Sequence, residues 1–395
     1  MIVEKQLTEL TVGDYVIKIA KQAGNFSLNA PGHIKSNKVI ARLKDKNVIS
    51  VFVDQSKVDD SKTLSNTTIQ KKTNTNTKDR EAIKTDLAKA KAIFTESKNI
   101  QKGLFAQALS GMTVDLGPVI EITNKSVDSV FNNPDSLACM INIREKDEYL
   151  LEHSVAVAVY ITIFAHHLNI NKEIVQHLSV GAFLHDIGKI KIPEYVLNKP
   201  GKLNDEEFII MKTHANHSID IIKNTPGINK LSLEVAALHH EKINGEGYPF
   251  QVKGEDISQY GRMIAICDIF DALTANRVYK EGFTHSKAFS ILRELAKKNH
   301  LDNRLVDQFI QCIGVFPIGS LVQLESKKLA IVEQRNNNSP IKPKVRSFYN
   351  VKMSQYENTQ DIDLTDTDDF IVKSVRAEEF DLDMNSIIEM LLMEG

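Results

Sequence analysis

The pattern of hydrophobic positions changes character three times along this chain. Near the N-terminus short β-branched runs prevail: Tyr15-Val-Ile-Lys-Ile19 and Val48-Ile-Ser-Val-Phe-Val53 read as strands. Between them, Ser36 stands as the cap of a short helix carrying Val39, Ile40 and Leu43 on one side. From Asp54 to Thr77 the apolar residues give way to Ser, Thr, Asn, Lys and Gln. Such a stretch has too little apolar surface to offset the entropy of ordering, so a flexible linker is expected. From about Asp79 to Gly314 the spacing is helical, predicting helices over Arg80–Leu109, His153–Leu168, Lys172–Leu184, Asp205–Lys223 and Ser286–Lys298. Asn204 followed by Asp205-Glu206-Glu207 is a helix start, a polar cap with acids in the first turn. Beyond Gly314, Leu321–Leu324, Ala330–Glu333 and Lys344–Phe348 are short strand candidates. Ile387, Ile388, Leu391 and Leu392 fit a terminal amphipathic helix docked on the protein's own core. The expected fold is mainly α: a small α+β unit (1–54), a linker (55–78), a helical connector (79–144), an all-α domain (145–315) and a β-rich extension (316–395).

Composition narrows the partners. With 395 residues, 25% of them charged, and a formal net charge of -2, the chain lacks the basic surplus of a nucleic-acid-polymer binder, while a local basic pocket for a small anion stays open. Cys139, Cys267 and Cys312 lie far apart without a CxxC spacing, which argues against a disulfide framework or zinc knuckle and for a reducing compartment. The opening MIVEKQLTEL is unlike a signal peptide, and the longest apolar stretch, Ser154 to Ala165, is too short for a bilayer span. A cytoplasmic protein without membrane contact is expected.

The candidate chemistry is concentrated. Nine of the twelve histidines lie between His153 and Asp268, and with the acids they form an ordered series: His153, His185-Asp186, His214, His239-His240 and Asp268. Each step is about one helical hairpin, so ligands on successive antiparallel helices can point into one cavity. Imidazoles and carboxylates without thiolates suit a divalent first-row metal. Seven candidate ligands exceed what one ion with room for water needs, and suffice for two ions bridged by a carboxylate. Singly, each histidine is more readily a satisfied core residue; His166-His167, His177 and His217 are assigned no ligand role.

The residues resemble an HD-GYP domain in order and spacing over about 145–315. Asp147-Glu-Tyr-Leu-Leu-Glu-His-Ser154 is similar to its opening, and His185-Asp-Ile-Gly-Lys189 to its HD motif. Leu197-Asn-Lys-Pro-Gly-Lys-Leu203 and Met211-Lys-Thr-His214 follow. His239-His-Glu-Lys-Ile-Asn-Gly-Glu-Gly-Tyr-Pro249 carries the GYP triplet, and Asp268-Ile-Phe-Asp-Ala-Leu-Thr274 with Arg277-Val-Tyr-Lys280 completes the series. The first 54 residues also resemble a small domain of unknown function that precedes such domains.

The resemblance implies a phosphodiesterase that opens cyclic di-GMP to linear pGpG, with onward hydrolysis to GMP left open, through a hydroxide activated by two divalent metal ions, iron or manganese. His153, His185, Asp186 and Asp268 match the metal set shared by HD-domain hydrolases; His214, His239 and His240 match the ligands of a second ion, with Asp186 bridging. Lys189 matches a lysine near the scissile phosphate, and Asp271, one turn after Asp268, is expected to orient a ligand or the water. Arg277 and Lys280 match phosphate-binding positions, and Gly247, Tyr248 and Pro249 a loop tied to substrate and partner contacts. Members with a third metal carry a glutamate four residues before the first histidine; here that position is Tyr149, which favours two ions. Alternatives are a hydrolase of 3′3′-cyclic GMP-AMP or another phosphoester, and a catalytically silent receptor acting through a protein partner. A homodimer is compatible with all three.

Overall fold

The computed structural model describes residues 2–11, 14–23, 31–34, 37–54, 73–142, 149–275, 282–336, 339–383 and 387, and its chain divides into two units, Met1–Asn74 and Thr75–Gly395. The first unit contains β1 (Ile2–Gln6), β2 (Tyr15–Gln22), β3 (Gly32–His33), α1 (Asn37–Asp45) and β4 (Val48–Asp54). β4 lies between β1 and β2, with β3 outside β2, and all pairs are antiparallel. Val51 and Val53 of β4 meet Val16, Leu43, Leu7 and Leu10 in a small core. Both expected strands and the helix at 39–43 are present, while Ser36 lies outside the described residues. β1 was not expected: it is an edge strand, and its sequence IVEKQ has little apolar content to mark it. Of the polar stretch read as a linker, 55–72 lies outside the described residues and 73–78 forms the first turns of the next helix.

The second unit, which α2 enters at Thr75, is helical up to residue 313: α2 (Thr73–Leu109), α3 (Leu116–Asn132), α4 (Pro134–Asn142), α5 (Tyr149–His167), α6 (Lys172–Leu184), a 3-10 turn (Ile187–Lys191), α7 (Glu194–Leu197), α8 (Asp205–Lys223), α9 (Lys230–Leu238), α10 (Gln259–Thr274), α11 (His285–Lys297) and α12 (Asn303–Ile313). Asn171, Asn204, Asn229, Ser258, Thr284 and Asp302 each accept a backbone N–H at the start of α6, α8, α9, α10, α11 and α12, which satisfies donors that a helix start leaves open. Every residue of α5 from Glu152 to Ala165 is buried. A helix apolar on all sides belongs at the centre, and α3, α6, α10 and α12 surround it. The apolar run too short for a bilayer is therefore the axis of the domain; among the described residues no helix is long and apolar enough to cross a membrane. Tyr160, Phe164, Phe270 and Phe309 interlock edge to face beside it.

After α12 come β5 (Leu321–Leu324), β6 (Lys328–Gln334), β7 (Lys344–Asn350), β8 (Gln355–Asp363) and β9 (Ile371–Ser374), an antiparallel sheet in the order β8-β7-β6-β5-β9. The two strands absent from the sequence reading, β8 and β9, are its edges; β8 reads QYENTQDID because it pairs on one side only. Ile387 is buried against Leu321, Leu329 and Phe348, consistent with docking of the C-terminal segment, of which 388–395 lie outside the described residues.

The sheet is clasped to the helices. Arg335, at the end of β6, donates to Asp135 of α4 and to the carbonyl of Cys312 at the end of α12, and Asn142 Nδ2 donates to the Ile318 carbonyl at 2.8 Å. Cys139 of α4 packs into the apolar core of the sheet with Val322, Leu324 and Val332. Arg335→Ala should cost about 1–3 kcal/mol, since the lost hydrogen bonds are charge-assisted but partly solvated. Urea denaturation reads this directly, and an unchanged midpoint would show the clasp to be idle.

Candidate metal and active site

Five histidines and three aspartates converge at one end of the helical bundle. His153 comes from α5, His214 from α8, and Asp268 and Asp271 from α10. His185 and His239 each occupy the residue just past the end of α6 and α9, and Asp186 and His240 follow them. Apart from His240, which is half-buried, all of these side chains are buried.

The backbone fixes the ring orientations. Nδ1 of His185, His214 and His239 lies 2.7, 2.7 and 2.6 Å from the carbonyls of Ala182, Met211 and Ala236, each three residues earlier. A carbonyl only accepts, so each Nδ1 carries the hydrogen and each Nε2 presents a lone pair inward. His153 is held by a carboxylate instead, its Nδ1 lying 2.7 Å from Oδ2 of the buried Asp271. Its Nε2 then faces Asp268 Oδ1 at 3.0 Å and Asp186 Oδ2 at 3.3 Å.

Asp186 divides its oxygens between two groups. Oδ2 lies 3.3 Å from Nε2 of both His153 and His185, and Oδ1 lies 3.4 Å from Nε2 of His214 and 3.9 Å from that of His239. Ligand atoms within 4.8 Å of one another form one triad of His153, His185 and Asp268, another of His214, His239 and His240, and a linking triad of His185, Asp186 and His239. Lys189 Nζ rests 2.5 Å from Asp186 Oδ2.

This arrangement fits divalent cations on its own terms. His185 Nε2 and Asp186 Oδ1 are buried without a hydrogen-bond partner. Nε2 of His214 faces Nε2 of His239 at 3.4 Å, so two lone pairs oppose each other where a cation would draw them together, and Nε2 of His240 lies 3.2 Å from the same His214 nitrogen. Burial pushes His214, His239 and His240 down, His240 to about 3, which leaves them neutral donors. Burial also opposes the charge on Asp186 and Asp268, yet Lys189 and His185 for the first, and His153 and His185 for the second, hold both carboxyls well below their usual range. Burial lowers His185, yet Asp186 and Asp268 pull it up to about 9, so their negative charge favours a positive charge at the Nε2 lone pair, a proton or a metal cation. The donors are imidazoles and carboxylates, which suit first-row divalent ions.

The other expected site residues are placed as follows. Tyr248 is half-buried, with its ring 4.5 Å from that of His240, and burial raises its hydroxyl. Gly247 is buried beneath it, and the Tyr248-Pro249 peptide is cis. Arg277 and Lys280 lie outside the described residues. Glu152, adjacent to His153, is turned away from the site onto Lys98 of α2 at 2.8 Å, and the side chain of Tyr149 lies outside the described residues. His166 packs on Phe131, and His177 meets Asn229 near the surface, neither in the site. Sequence reasoning passed over Gly188, Ser218 and Glu241. Gly188 lets the 3-10 turn lie against α8, with its N–H on Ser218 Oγ at 2.8 Å, and Glu241 binds the loop that carries Tyr248. Only its place directly after two histidines could have marked Glu241.

A family model described as an HD domain matches residues 138–305, and one described as a domain of unknown function (DUF3391) matches residues 4–119. A cyclic di-GMP phosphodiesterase of Pseudomonas aeruginosa is 32% identical over 286 residues, covering 72% of this chain and 68% of the relative. A cyclic di-GMP phosphodiesterase of Vibrio cholerae is 34% identical, covering 50% of this chain and 44% of the relative. A 3′3′-cGAMP-specific phosphodiesterase of the same organism is 33% identical, covering 51% of this chain and 38% of the relative. The chain thus spans less than half the length of both Vibrio relatives.

Proposed function

Since this chain belongs to the HD-GYP family of HD-domain phosphodiesterases, we propose that it hydrolyses a cyclic dinucleotide, cyclic di-GMP foremost, at a two-metal centre. The observation that carries this reading is the division of the Asp186 oxygens between two histidine-rich triads. His153, His185 and Asp268 would hold one ion, His214, His239 and His240 the other, and Asp186 both. Iron or manganese suits these donors. Bound there, the cations supply Lewis acidity to the phosphoryl oxygens and a water acidic enough to ionise near neutral pH.

The chain's own residues do the remainder. Asp271 fixes the His153 ring and raises its basicity as a ligand. Lys189, beside Asp186 in the site, would contribute a positive charge where negative charge develops on the phosphoryl group. Tyr248, half-buried with its ring against His240, would offer an aromatic surface to a base. Arg277 and Lys280 remain the proposed phosphate contacts. The three free cysteines fit a reducing, cytoplasmic setting. A homodimer and a protein partner at the GYP loop belong to the same proposal.

Purine choice is the open arm, because relatives named for cyclic di-GMP and for 3′3′-cGAMP share similar identity with the chain, 32–34%, although the Pseudomonas cyclic di-GMP relative matches 72% of it and the cGAMP relative 51%. Protein loaded anaerobically with iron or manganese should convert cyclic di-GMP to linear pGpG, and a chelator should stop it. Chromatography of products from cyclic di-GMP and 3′3′-cGAMP side by side ranks the substrates. A protein that holds two ions per chain yet leaves every cyclic dinucleotide intact would overturn the hydrolase reading in favour of a silent receptor.

A further inference from the structure

We propose that Glu241 is a positioning residue for one half of the metal centre, holding His240 in place through the turn that carries Tyr248. Glu241 is buried, and its Oε1 accepts the backbone N–H of Phe250 at 2.7 Å and of Gln251 at 3.1 Å. That carboxylate therefore closes a loop from the residue after the two histidines back onto the residues just past the GYP triplet. The loop folds tightly: a Cβ at Gly247 would lie 2.5 Å from Glu241 Cα, 2.5 Å from Lys242 N and 2.7 Å from the His240 carbonyl oxygen. Tyr248 N–H donates to that same carbonyl at 3.2 Å, and the Tyr248 ring lies over the His240 imidazole, centroids 4.5 Å apart at 38°.

The dependence on Glu241 is unequal across the site. His185, His214 and His239 are each oriented by a carbonyl of their own helix, and His153 by Asp271. His240 follows the end of α9; its ring nitrogens face Asp268 Oδ2 at 3.5 Å and His214 Nε2 at 3.2 Å, both groups of the site itself, and the Glu241-bound turn grips it at its carbonyl and across its ring. Loss of the Glu241 carboxylate leaves the Phe250 and Gln251 donors without their acceptor and releases Tyr248 from the ring. The triad of His214, His239 and His240 then loses the order of one ligand in three, while His153, His185 and Asp268 keep theirs. Substrate consequences rest on the cyclic-dinucleotide reading; metal binding does not.

Metal titration of the intact chain, read by calorimetry or by metal content after dialysis, therefore tests the proposal apart from catalysis. Wild type should bind two ions. In Glu241→Ala one binding step should weaken by about 10- to 100-fold, the size typical of outer-shell losses, with the other step unchanged. Glu241→Gln keeps the Oε1 acceptor but turns the buried Oε2 into an N–H donor near the Val252 amide, so it should weaken the same step and by less than Glu241→Ala. Gly247→Ala, which forces the same turn away, should reproduce the one-step loss and serves as the deciding variant if Glu241→Ala does not fold. Two unaltered steps in Glu241→Ala or Gly247→Ala, or equal weakening of both, would overturn the proposal. Failure of wild type to cleave any cyclic dinucleotide would remove the hydrolase reading and leave this test standing.

Discussion

Asp186→Asn should lose both ions and lower kcat/KM by about a thousandfold or more, equivalent to about 4 kcal/mol of transition-state stabilisation. The two carboxylate oxygens face different triads, so an amide keeps an acceptor toward one and turns an N–H donor toward the other. It also removes the negative charge that offsets a second cation and the anion against which Lys189 rests. The fold should survive, because Asp186 sits past the end of α6 and its removal opens no gap in the apolar core. Metal content, far-UV circular dichroism and turnover on one preparation check all three parts. A well-folded variant that retains two ions and a tenth of the activity would refute the bridging role.

Gly188→Ala is expected to be the most damaging single change to the fold near the site. Its Cβ would lie 2.2 Å from the His214 carbonyl oxygen and 2.4 Å from Ser218 N, both backbone atoms of α8 that cannot rotate aside. Either the turn Ile187–Lys191 lifts from α8 or the helix bends, and the hydrogen bond from Gly188 N–H to Ser218 Oγ is lost in both cases. Overpacking together with a broken buried hydrogen bond should cost about 3 kcal/mol or more. Ser218→Ala, which removes only the hydroxyl, should cost about 1–2 kcal/mol. Urea denaturation separates the two, and equal losses would mean that the close approach is not the source. The same displacement carries Asp186 and Lys189 away from His214, so metal affinity should fall with stability.

Much of this could be read from the residues, and the limit has a physical cause. The boundaries of α6 and α8 follow from apolar spacing and polar caps, and both match the expected spans. The ordered histidines and acids point to one cavity because helices of a bundle bring every second end together. Spacing does not say which imidazole nitrogen faces inward. That depends on carbonyls three residues earlier and, for His153, on a carboxylate 118 positions away. Gly188 and Glu241 are invisible for a related reason: one acts by lacking a side chain, the other by binding backbone. β8 was missed because an edge strand facing water on most positions carries no apolar alternation.

The clasp at Arg335 also bears on how this hydrolase can be moved between proteins. The boundary near residue 315 that composition suggests runs through a shared interior. A fragment ending there would strand Asp135 and Asn142 without Arg335 and the Ile318 carbonyl, and would bare Cys139 where Val322, Leu324 and Val332 now cover it. The new face, apolar and ringed by unpaired polar groups, would favour self-association over a soluble monomer. In grafting experiments the sheet should therefore travel with the helices as one heritable piece, and chimeras joined at 315 should aggregate where those carrying 316–383 do not.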